Sequence, residues 1–269
     1  MKIATWNINS VRLRIDQVLQ FLKEEAPDVL CLQEIKCRDD QFPAKAINAA
    51  GYKHQAGSGQ VGYHGVAIVS KVPLKDVSKR AFCGKDDARH IEATLPGGVR
   101  LHNFYVPAGG DEPDPKINEK FEHKLNFMKE MKSWFSEFGP PSRKKSVLVG
   151  DLNVAPLEND VWSHRQLLSV VSHTPIEVEH LSQVVQSHDW IDVARALIPE
   201  TEKVYTWWSY RAANWRSSNR GRRLDHIWVT PALRKAALSG GRDAFAIHER
   251  CRDWERPSDH APVTLTLDL

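Results

Sequence analysis

Polar side chains that are able to bind a metal or move a proton recur at the ends of predicted strands. The set contains one glutamate, three aspartates, four amides and a histidine: Asn7, Asn9, Gln33, Glu34, Asp151, Asn153, Asp225, Asp259 and His260. Its members come from five separate segments, each next to a short apolar run. A rigid sheet holds such residues in place while they still reach solvent, so catalytic groups collect at strand ends.

The chemistry of this set favours a hard cation. Nearly all of its side chains offer oxygen, without the several histidines or cysteines that zinc prefers, so the pattern predicts Mg²⁺ or Mn²⁺. A metal, carboxylates and an Asp–His pair together indicate hydrolysis of a phosphate ester by water.

Each member taken alone also has a purely structural interpretation. Asn7 would bond a loop, and Glu34 would be a surface acid. Asp151 would be a turn residue, and Asp259 and His260 would cap the final strand. The recurrence of the pattern in five segments favours the chemical interpretation.

A second signal is the uneven distribution of charge. The net charge is only +3, but residues 203–256 hold 12 Lys and Arg against five Asp and Glu. Five of the nine tryptophans lie in the same window. Cationic and aromatic side chains together suit phosphate contact and stacking on bases, so the segment predicts a nucleic-acid surface. The alternative is a solvated basic face over ordinary core aromatics.

Composition excludes several classes of protein. With 41% hydrophobic and 26% charged residues, the 269-residue chain has the balance of a globular protein with a full core. No apolar run approaches the roughly 20 residues that cross a bilayer, and the start lacks a secretory signal, so we expect a cytoplasmic protein without a membrane partner. Four scattered cysteines without a Cys-x-x-Cys pair argue against a disulfide framework or thiolate zinc site. We expect Cys31 to be a buried free thiol.

Apolar runs and helical spacings alternate along the whole chain. The predicted strands are 2–8, 28–33, 65–70, 90–95, 99–106, 146–150, 224–229 and 261–267. Helical spacing predicts helices around 15–22 and 121–135, and a capping box at Thr174 and Glu177 predicts a third, ending near residue 187. Segments 107–120 and 139–143 are predicted loops. The absence of a linker or composition break predicts one α/β domain over residues 1–269.

Six ordered motifs carry a resemblance to a known family. They are Thr5–Asn9, Leu32–Lys36, Tyr105–Pro107, Gly150–Asn153, Arg223–Asp225 and Ser258–Val263. The chain resembles the exonuclease III family of DNA-repair nucleases, within the endonuclease/exonuclease/phosphatase superfamily that also contains deoxyribonuclease I. The resemblance implies a four-layered α/β sandwich of two packed mixed β-sheets flanked by helices, with the active site along one sheet edge.

The resemblance also implies a metal centre. Glu34 would be the principal ligand of Mg²⁺, for which Mn²⁺ would substitute. The other residues implied for the metal region, directly or through water, are Asn7, Asn9, Asp151, Asn153, Asp259 and His260.

Five residues receive catalytic roles from the same resemblance. Asp151 would activate or orient the attacking water, or protonate the leaving oxygen, and Asn153 would position that water. Asp225 would hold His260 in the tautomer and orientation that contact the scissile phosphate. Tyr105 would donate its phenol to the same phosphate.

The resemblance further implies contacts with double-stranded DNA that carries abasic sites or blocked or recessed 3′ ends. Arg89 is expected to contact a backbone phosphate, and Arg211 and Arg222 belong to the basic segment. Trp207 and Trp208 match the family's DNA-inserting and abasic-pocket stretch, with core packing as the alternative for at least one of them. The implied protein is a monomer.

His164 departs from the family pattern, in which a small residue, often glycine, is common near this position. We hypothesise that its imidazole narrows the pocket for an extra-helical abasic sugar. Abasic-site incision would then be weakened, while 3′→5′ exonuclease, 3′-phosphatase and 3′-phosphodiesterase activities persist. The alternative is a loop histidine far from the site.

Two other functions are compatible with the same residues. A small-molecule or lipid phosphoesterase of the superfamily would share Glu34, Asp151 and His260, although the basic, tryptophan-rich segment favours DNA. A nucleic-acid-binding protein that has lost catalysis is disfavoured, because every catalytic residue type is present. Metal-dependent cleavage of duplex DNA separates these possibilities.

Overall fold

The computed structural model describes residues 1–212 and 214–269, which form two large β-sheets and their flanking helices. The strands are β1 (Lys2–Asn7), β2 (Val29–Gln33), β3 (His54–Ser58), β4 (Val66–Ser70), β5 (Lys75–Lys79), β6 (His90–Leu95), β7 (Val99–Tyr105), β8 (Ser146–Asp151), β9 (Ile191–Asp192), β10 (Trp207–Trp208), β11 (Gly221–Arg222), β12 (Asp225–Val229), β13 (Phe245–Ile247) and β14 (Val263–Thr266). The helices are α1 (Ile15–Glu25), α2 (Ala44–Ala49), α3 (Glu119–Ser136), α4 (His164–Leu167), α5 (Pro175–Ser187), α6 (Val193–Leu197), α7 (Trp215–Ser218) and α8 (Arg234–Leu238).

Each six-stranded sheet is built around one pair of parallel strands. The first has the order β13-β14-β1-β2-β4-β3, in which β1 and β2 are parallel. The second has the order β5-β6-β7-β8-β12-β9, in which β7 and β8 are parallel. The antiparallel neighbours β14 and β12 begin where β1 and β8 end. The chain therefore brings six strand ends to one edge of the two sheets.

The two sheets share an apolar core. Ile3, Val29 and Cys31 from the first sheet pack against Leu101 and Val149 from the second. The alternate residues of the same strands face outward onto helices, so the inner strands are apolar on both faces. This explains why they appear in the sequence as continuous apolar runs.

Helices cover both outer faces. Phe21 and Leu22 of α1 pack on the first sheet, and Phe121 and Met128 of α3 pack on the second together with α5. At the start of α5, the backbone NH of Thr174 donates to Glu177 at 3.1 Å. The four-layered mixed α/β architecture and the capping box are as predicted.

The strands that sequence patterns missed are chiefly the edge strands. All eight predicted strands are present, but β3, β5, β9 and β13, the outermost strands of the two sheets, were not predicted. Edge strands pair on one side only and carry polar residues, and every residue of β5 is exposed. The predicted loop 107–120 is two residues too long, because Asn118 caps α3 and the helix begins at Glu119.

Two smaller predictions concern thiols and membranes. Cys31, Cys37, Cys83 and Cys251 are all free, and Cys31 is fully buried. Among residues 1–212 and 214–269, no helix combines the length and apolar character needed to span a bilayer.

Candidate active site

The shared edge of the two sheets collects the predicted catalytic residues. Asn7 ends β1 beside Gln33 at the end of β2, and Glu34 follows directly. Tyr105 ends β7 beside Asp151 at the end of β8. Asp225 begins β12 opposite Asp151, and His260 precedes β14.

Unusual backbone conformations turn these side chains toward one another. Asn9, Glu34 and Asn153 all adopt positive φ, at 47°, 49° and 54°. Asparagine tolerates this region, but for glutamate it is strained, and such strain is concentrated at functional sites. Gly150 has a φ of 140°, and a Cβ there would lie 1.9 Å from the carbonyl oxygen of Phe104. The glycine of the Gly-Asp-x-Asn motif is therefore required for the close approach of β8 to β7.

Two carboxylates converge on one amide at the centre of the site. The Asn7 side-chain NH₂ donates to Glu34 Oε1 and to Asp151 Oδ2, both at 2.9 Å. The Tyr105 hydroxyl donates to Glu34 Oε1 at 2.9 Å. Lys36 Nζ lies 2.8 Å from Glu34 Oε2. Glu34 thus accepts hydrogen bonds from both sheets, from Asn7 of the first and from Tyr105 of the second.

An Asp–His pair lies next to this centre. Asp225 is the first residue of β12, and His260 precedes β14. His260 Nδ1 donates to Asp225 Oδ2 at 2.8 Å, which fixes the tautomer with Nε2 toward the site. Thr206 donates its hydroxyl to the same Asp225 oxygen at 2.6 Å. His260 Nε2 lies 3.8 Å from Asp151 Oδ2. The imidazole and the Asp151 carboxylate thus lie beside each other, and both line the same cleft.

The surroundings of Asp151 and His260 raise the pKa values of both groups. The shift favours the neutral form of the Asp151 carboxyl and the charged form of the His260 imidazole. Burial raises the pKa of the Asp151 carboxyl to about 7, against the attraction of His260. Burial alone would lower the pKa of His260, but the Asp225 and Asp151 carboxylates raise it to about 10. Burial also opposes ionisation of Glu34, yet the Lys36 ammonium and the Asn7 amide hold the pKa of Glu34 below its ordinary value.

Asn9 and Asp259 form the outer part of the cluster. The Asn9 backbone NH donates to Asn7 Oδ1 at 3.1 Å, and its side-chain amide donates to Asp259 Oδ1 at 3.0 Å. Trp207 Nε1 donates to the other Asp259 oxygen at 2.9 Å. Lys36 Nζ donates to Asn9 Oδ1 at 2.6 Å. Trp207 is therefore joined by a direct hydrogen bond to Asp259, an acidic residue of this cluster.

A cleft of about 930 Å³ opens above these groups. Its floor includes Glu34, Asp151 and His260, and its walls include Trp162, Leu167, Trp207, Arg211 and Arg222. The Arg222 guanidinium lies 5.3 Å from the centre of the Trp207 ring and donates to Ser172 Oγ at 2.7 Å. The predicted basic and aromatic side chains thus meet the predicted catalytic ones.

Trp208 and Arg89 are the most buried of the predicted DNA contacts. Trp208 is 2% exposed and packs on Trp215, but it also borders the cleft, so it is the more buried member of the tryptophan pair. Arg89 is 7% exposed, pairs with Asp87 at 2.5 Å and lies 4.8 Å from the Tyr105 ring centre. The Arg89 guanidinium is thus held against Tyr105, and its contact with a backbone phosphate stays a prediction.

His164 does not line the cleft. Its Nδ1 lies 2.8 Å from His173 Nε2, and the opposite nitrogen of His173 lies 2.6 Å from the Ala155 carbonyl oxygen. Leu167, one turn further along α4, reaches the cleft instead. The predicted narrowing by the imidazole itself is therefore corrected: the histidine pair anchors the start of α4, which forms the wall.

Three residues that contact the predicted site were not predicted from the sequence. Lys36 pairs with Glu34, and Thr206 holds Asp225. Ser258 Oγ donates to the Asn7 carbonyl oxygen at 2.6 Å and accepts from the His260 backbone NH at 3.2 Å. Lys36 and Ser258 lie inside recognised motifs, which was a usable signal, whereas Thr206 carries no local signal.

Comparison with known proteins agrees with this geometry. Residues 4–260 match the model of the Endonuclease/Exonuclease/phosphatase family. The chain belongs to this family. Among characterised members, it is 32% identical to the DNA repair nuclease APEX1 of Danio rerio, over 99% of this chain and 82% of that protein. It is 30% identical to exodeoxyribonuclease III of Haemophilus influenzae, over 98% of each chain.

Solved structures of Endonuclease/Exonuclease/phosphatase family members share the whole fold. An AP endonuclease from Archaeoglobus fulgidus superposes with a TM-score of 0.90 at 32% identity, covering 100% of both chains. A 3′–5′ exonuclease from Neisseria meningitidis gives 0.89 at 34% identity over 100% of both chains. A Neisseria 3′ phosphatase bound to a product DNA hairpin gives 0.89 at 33% identity with the same coverage. The resemblance to the exonuclease III family and the predicted enzyme class, a hydrolase of ester bonds, are confirmed.

Proposed function

We propose that this protein is a divalent-metal-dependent DNA repair nuclease with 3′→5′ exonuclease, 3′-phosphatase and 3′-phosphodiesterase activities. The observation that carries the proposal is the meeting of Glu34, Asp151 and the His260–Asp225 pair beneath a cleft walled by tryptophan and arginine. The named activities of the relatives, DNA repair nuclease, exonuclease and 3′ phosphatase, support the same conclusion.

The donor set fits a hard divalent cation. The Lys36 ammonium bridges Glu34 Oε2 and Asn9 Oδ1 at 2.8 and 2.6 Å, so a positive charge is already stabilised between these oxygens. Carboxylate and amide oxygens are preferred by Mg²⁺ and Mn²⁺. We assign Glu34 as the main ligand, with Asn7, Asn9 and Asp259 completing the region and Asp151, Asn153 and His260 bordering it. When bound, the ion neutralises phosphoryl oxygens and lowers the barrier to attack.

The protein groups supply the remaining chemistry. Asp151 accepts the proton of the attacking water or returns one to the leaving oxygen, and Asn153 holds Asp151 through its backbone NH at 3.0 Å. His260, kept cationic by Asp225, stabilises negative charge on the phosphorane-like transition state. Tyr105 donates its phenol to the same phosphate. Each preorganised donor of this kind lowers the activation free energy by roughly 3 kcal/mol.

The cleft walls select damaged or recessed ends of duplex DNA. Arg211 and Arg222 contact backbone phosphates, which position the duplex without specifying its sequence. Trp207 stacks or wedges at the lesion while its indole NH holds Asp259. Trp208 supports this wall from the core.

We propose further that 3′-end processing dominates over abasic-site incision. The His164–His173 contact fixes the start of α4, whose Leu167 lines the cleft, and so limits the room for a flipped sugar. His164→Gly should raise incision of a synthetic abasic duplex while leaving 3′-phosphatase activity within about twofold. Equal incision by the variant and the parent protein contradicts this part of the proposal.

Residues 1–269 are proposed to act as one domain and as a monomer, because a single inter-sheet core joins strands from both halves of the chain. A cytoplasmic location, in association with DNA, fits the four unpaired cysteines, since reduced thiols persist in that compartment.

The decisive experiment uses a panel of duplexes with an abasic site, a 3′-phosphate or a recessed 3′-OH end. Each duplex is incubated with protein and Mg²⁺, with Mn²⁺ or with EDTA. We expect metal-dependent release of phosphate and nucleotides from the 3′ ends, weaker abasic incision, and no product in EDTA. Glu34→Ala and His260→Asn should each lose at least about 100-fold in rate. Folded protein that leaves all three duplexes intact with either metal would overturn the proposal.

A further inference from the structure

A second pocket lies at the opposite end of the β5–β9 sheet from the active site. It has a volume of about 710 Å³ and is lined by the start of β7, the end of β5 and the turn before β8. Arg100 pairs with Ser146 here, whereas Tyr105 pairs with Asp151 at the catalytic edge of the same two strands. Five residue steps separate the two sites, or about 17 Å.

Six cationic side chains surround this pocket. They are Lys79, Arg80, Arg100, Arg143, Lys144 and Lys145. Its only acidic lining residue is Glu92, whose side chain is 5% exposed and is already bound by Arg100 and by Ser78. The cationic pocket, as we call this set, therefore has a large uncompensated positive charge.

Most of these charges have no acidic partner. Lys79 lies 3.6 Å from Asp39. In the part of the chain that the structure describes, neither Arg80 nor the three cations of residues 143–145 form an ion pair with an acid, and Arg80 rests on the Trp134 ring at 4.9 Å. Like charges gathered in this way repel one another, which disfavours the arrangement unless an anion binds.

The backbone beneath the cations is held rigidly. The Arg100 NH donates to the Lys145 carbonyl oxygen at 2.8 Å, and Thr230 donates its hydroxyl to the Lys144 carbonyl oxygen. The Ser146 NH donates to Thr230 Oγ1 at 3.0 Å. The basic turn is thereby fastened to β7 and β12, so part of the ordering needed for ligand binding is already built into the fold.

We propose that the cationic pocket binds a ligand with consecutive phosphate groups, at a site separate from the catalytic cleft. An acidic peptide fits less well, because five extended acidic residues span about 17 Å. A pocket of about 710 Å³ is only about half as wide as that length. Phosphates joined through P–O–P bridges concentrate comparable charge in a shorter length, and arginine and lysine both bind them strongly. The size of the pocket favours a soluble oligophosphate, and a nucleic-acid strand, whose phosphates are spaced further apart, is the other source of the same chemistry.

The test compares two double variants with equal change of charge. Arg143→Ser with Lys144→Ser removes two pocket cations, and Lys129→Ser with Lys132→Ser removes two exposed cations of α3 outside the pocket. Binding of inorganic tripolyphosphate is measured by calorimetry in EDTA, where metal-dependent cleavage is absent. We expect the pocket variant to bind about tenfold or more weakly and the α3 variant to bind like the parent protein. Both variants should retain the parent melting temperature and the parent rate on a short recessed duplex.

Competition then identifies the source of the phosphates. If a short single-stranded oligodeoxynucleotide displaces tripolyphosphate from the parent protein, the ligand is a nucleic-acid strand, and the salt slope of strand binding should fall by about 1.4 in the pocket variant. If the strand does not compete, the ligand is a soluble oligophosphate. Equal weakening in both double variants, no binding by the parent protein, or displacement by an acidic peptide alone would overturn the proposal.

Discussion

At the scale of single residues, the site depends on a few hydrogen bonds that fix charge and orientation. Asn7 joins Glu34 to Asp151, and Thr206 and His260 share one oxygen of Asp225. Each contact links residues that are at least 19 positions apart in the chain. A substitution that preserves shape but changes charge therefore tests function with little disturbance of the fold.

Replacing Asp225 by Asn removes the charge that holds His260 cationic. We expect Asp225→Asn to lower kcat by about 100-fold or more on a recessed duplex, while KM changes by less than about threefold. Thr206→Val keeps the carboxylate but loses one hydrogen bond, so its kcat should lie between those of Asp225→Asn and the parent protein. Asp189→Asn, at an exposed position, serves as the control. An unchanged kcat in Asp225→Asn would show that the imidazole acts without this partner.

At the scale of elements, the catalytic edge rests on tight contacts between neighbouring strands and on a buried ion network behind β12. Asp160 accepts from the Arg223 guanidinium at two atoms, each at 2.8 Å, and Arg195 Nε donates to it at 3.0 Å. Arg223 directly precedes Leu224 and Asp225. The network thus fixes where β12 starts and where Asp225 points.

Gly150→Ala is expected to prevent the close approach of β8 to β7. The added Cβ would lie 1.9 Å from the Phe104 carbonyl oxygen at a φ of 140°, so the free energy of unfolding should fall by more than about 4 kcal/mol. Gly97→Ala, at a φ of 79° with open space around it, should lose only about 1–2 kcal/mol. Denaturant unfolding of the two variants measures the difference, and similar stabilities would contradict the steric argument.

Asp160→Asn should destabilise the fold by about 3 kcal/mol at neutral pH, because it removes the carboxylate that Arg223 and Arg195 share and leaves buried Arg223 with Asp192, at 2.8 Å, as its remaining acidic partner. Burial opposes ionisation of Asp160, but Arg223 and Arg195 hold its pKa below the ordinary value. A carboxyl whose pKa is lower in the folded state stabilises the fold above its unfolded pKa of about 3.9, and this contribution is lost as the pH falls through the folded pKa.

The stability gap between the parent protein and Asp160→Asn should therefore be full at pH 7 and shrink below about pH 4. Urea unfolding across this range measures it. Exposed Asp243→Asn is the matched control and should show no gap. A gap that does not depend on pH would mean that the loss comes from packing alone.

At the scale of the whole molecule, two packed sheets support a functional edge that is not needed to hold them together. The inter-sheet core is mainly apolar, with a buried hydrogen bond of 2.7 Å from Gln33 to Asn103 between the sheets, and Tyr105 is the predicted catalytic residue that its apolar cluster includes. Lys36 neutralises Glu34 directly, so the carboxylate is not left unpaired when no divalent ion is bound.

Removal of divalent metal should accordingly stop catalysis without unfolding the protein. In EDTA we expect cleavage of a 3′-phosphate duplex to fall below detection, while the far-UV circular dichroism spectrum and the melting temperature stay nearly unchanged. Added Mg²⁺ or Mn²⁺ should restore the activity. Unfolding in EDTA would instead indicate a structural metal.

The sequence alone determined the inner strands and the main helices, and it singled out the polar residues that the structure brings together at one sheet edge. Inner strands such as β2 and β8 are buried on both faces and so appear as apolar runs, and the acids and amides that end them stand out against those runs. Family motifs supplied the expected roles. Edge strands such as β5 were not predictable from these patterns. They pair with a neighbouring strand on one side only, and this restricts the residue types along the strand very little.

Only the tertiary structure decided which partner each polar side chain meets. It left Trp207 partly exposed and Trp208 almost fully buried at the cleft, set Arg89 against the Tyr105 ring, and joined His164 to His173. It also gathered the cationic pocket from three distant segments. These outcomes depend on packing and ion pairing between residues far apart in the chain, and local sequence patterns carry no information about such neighbours.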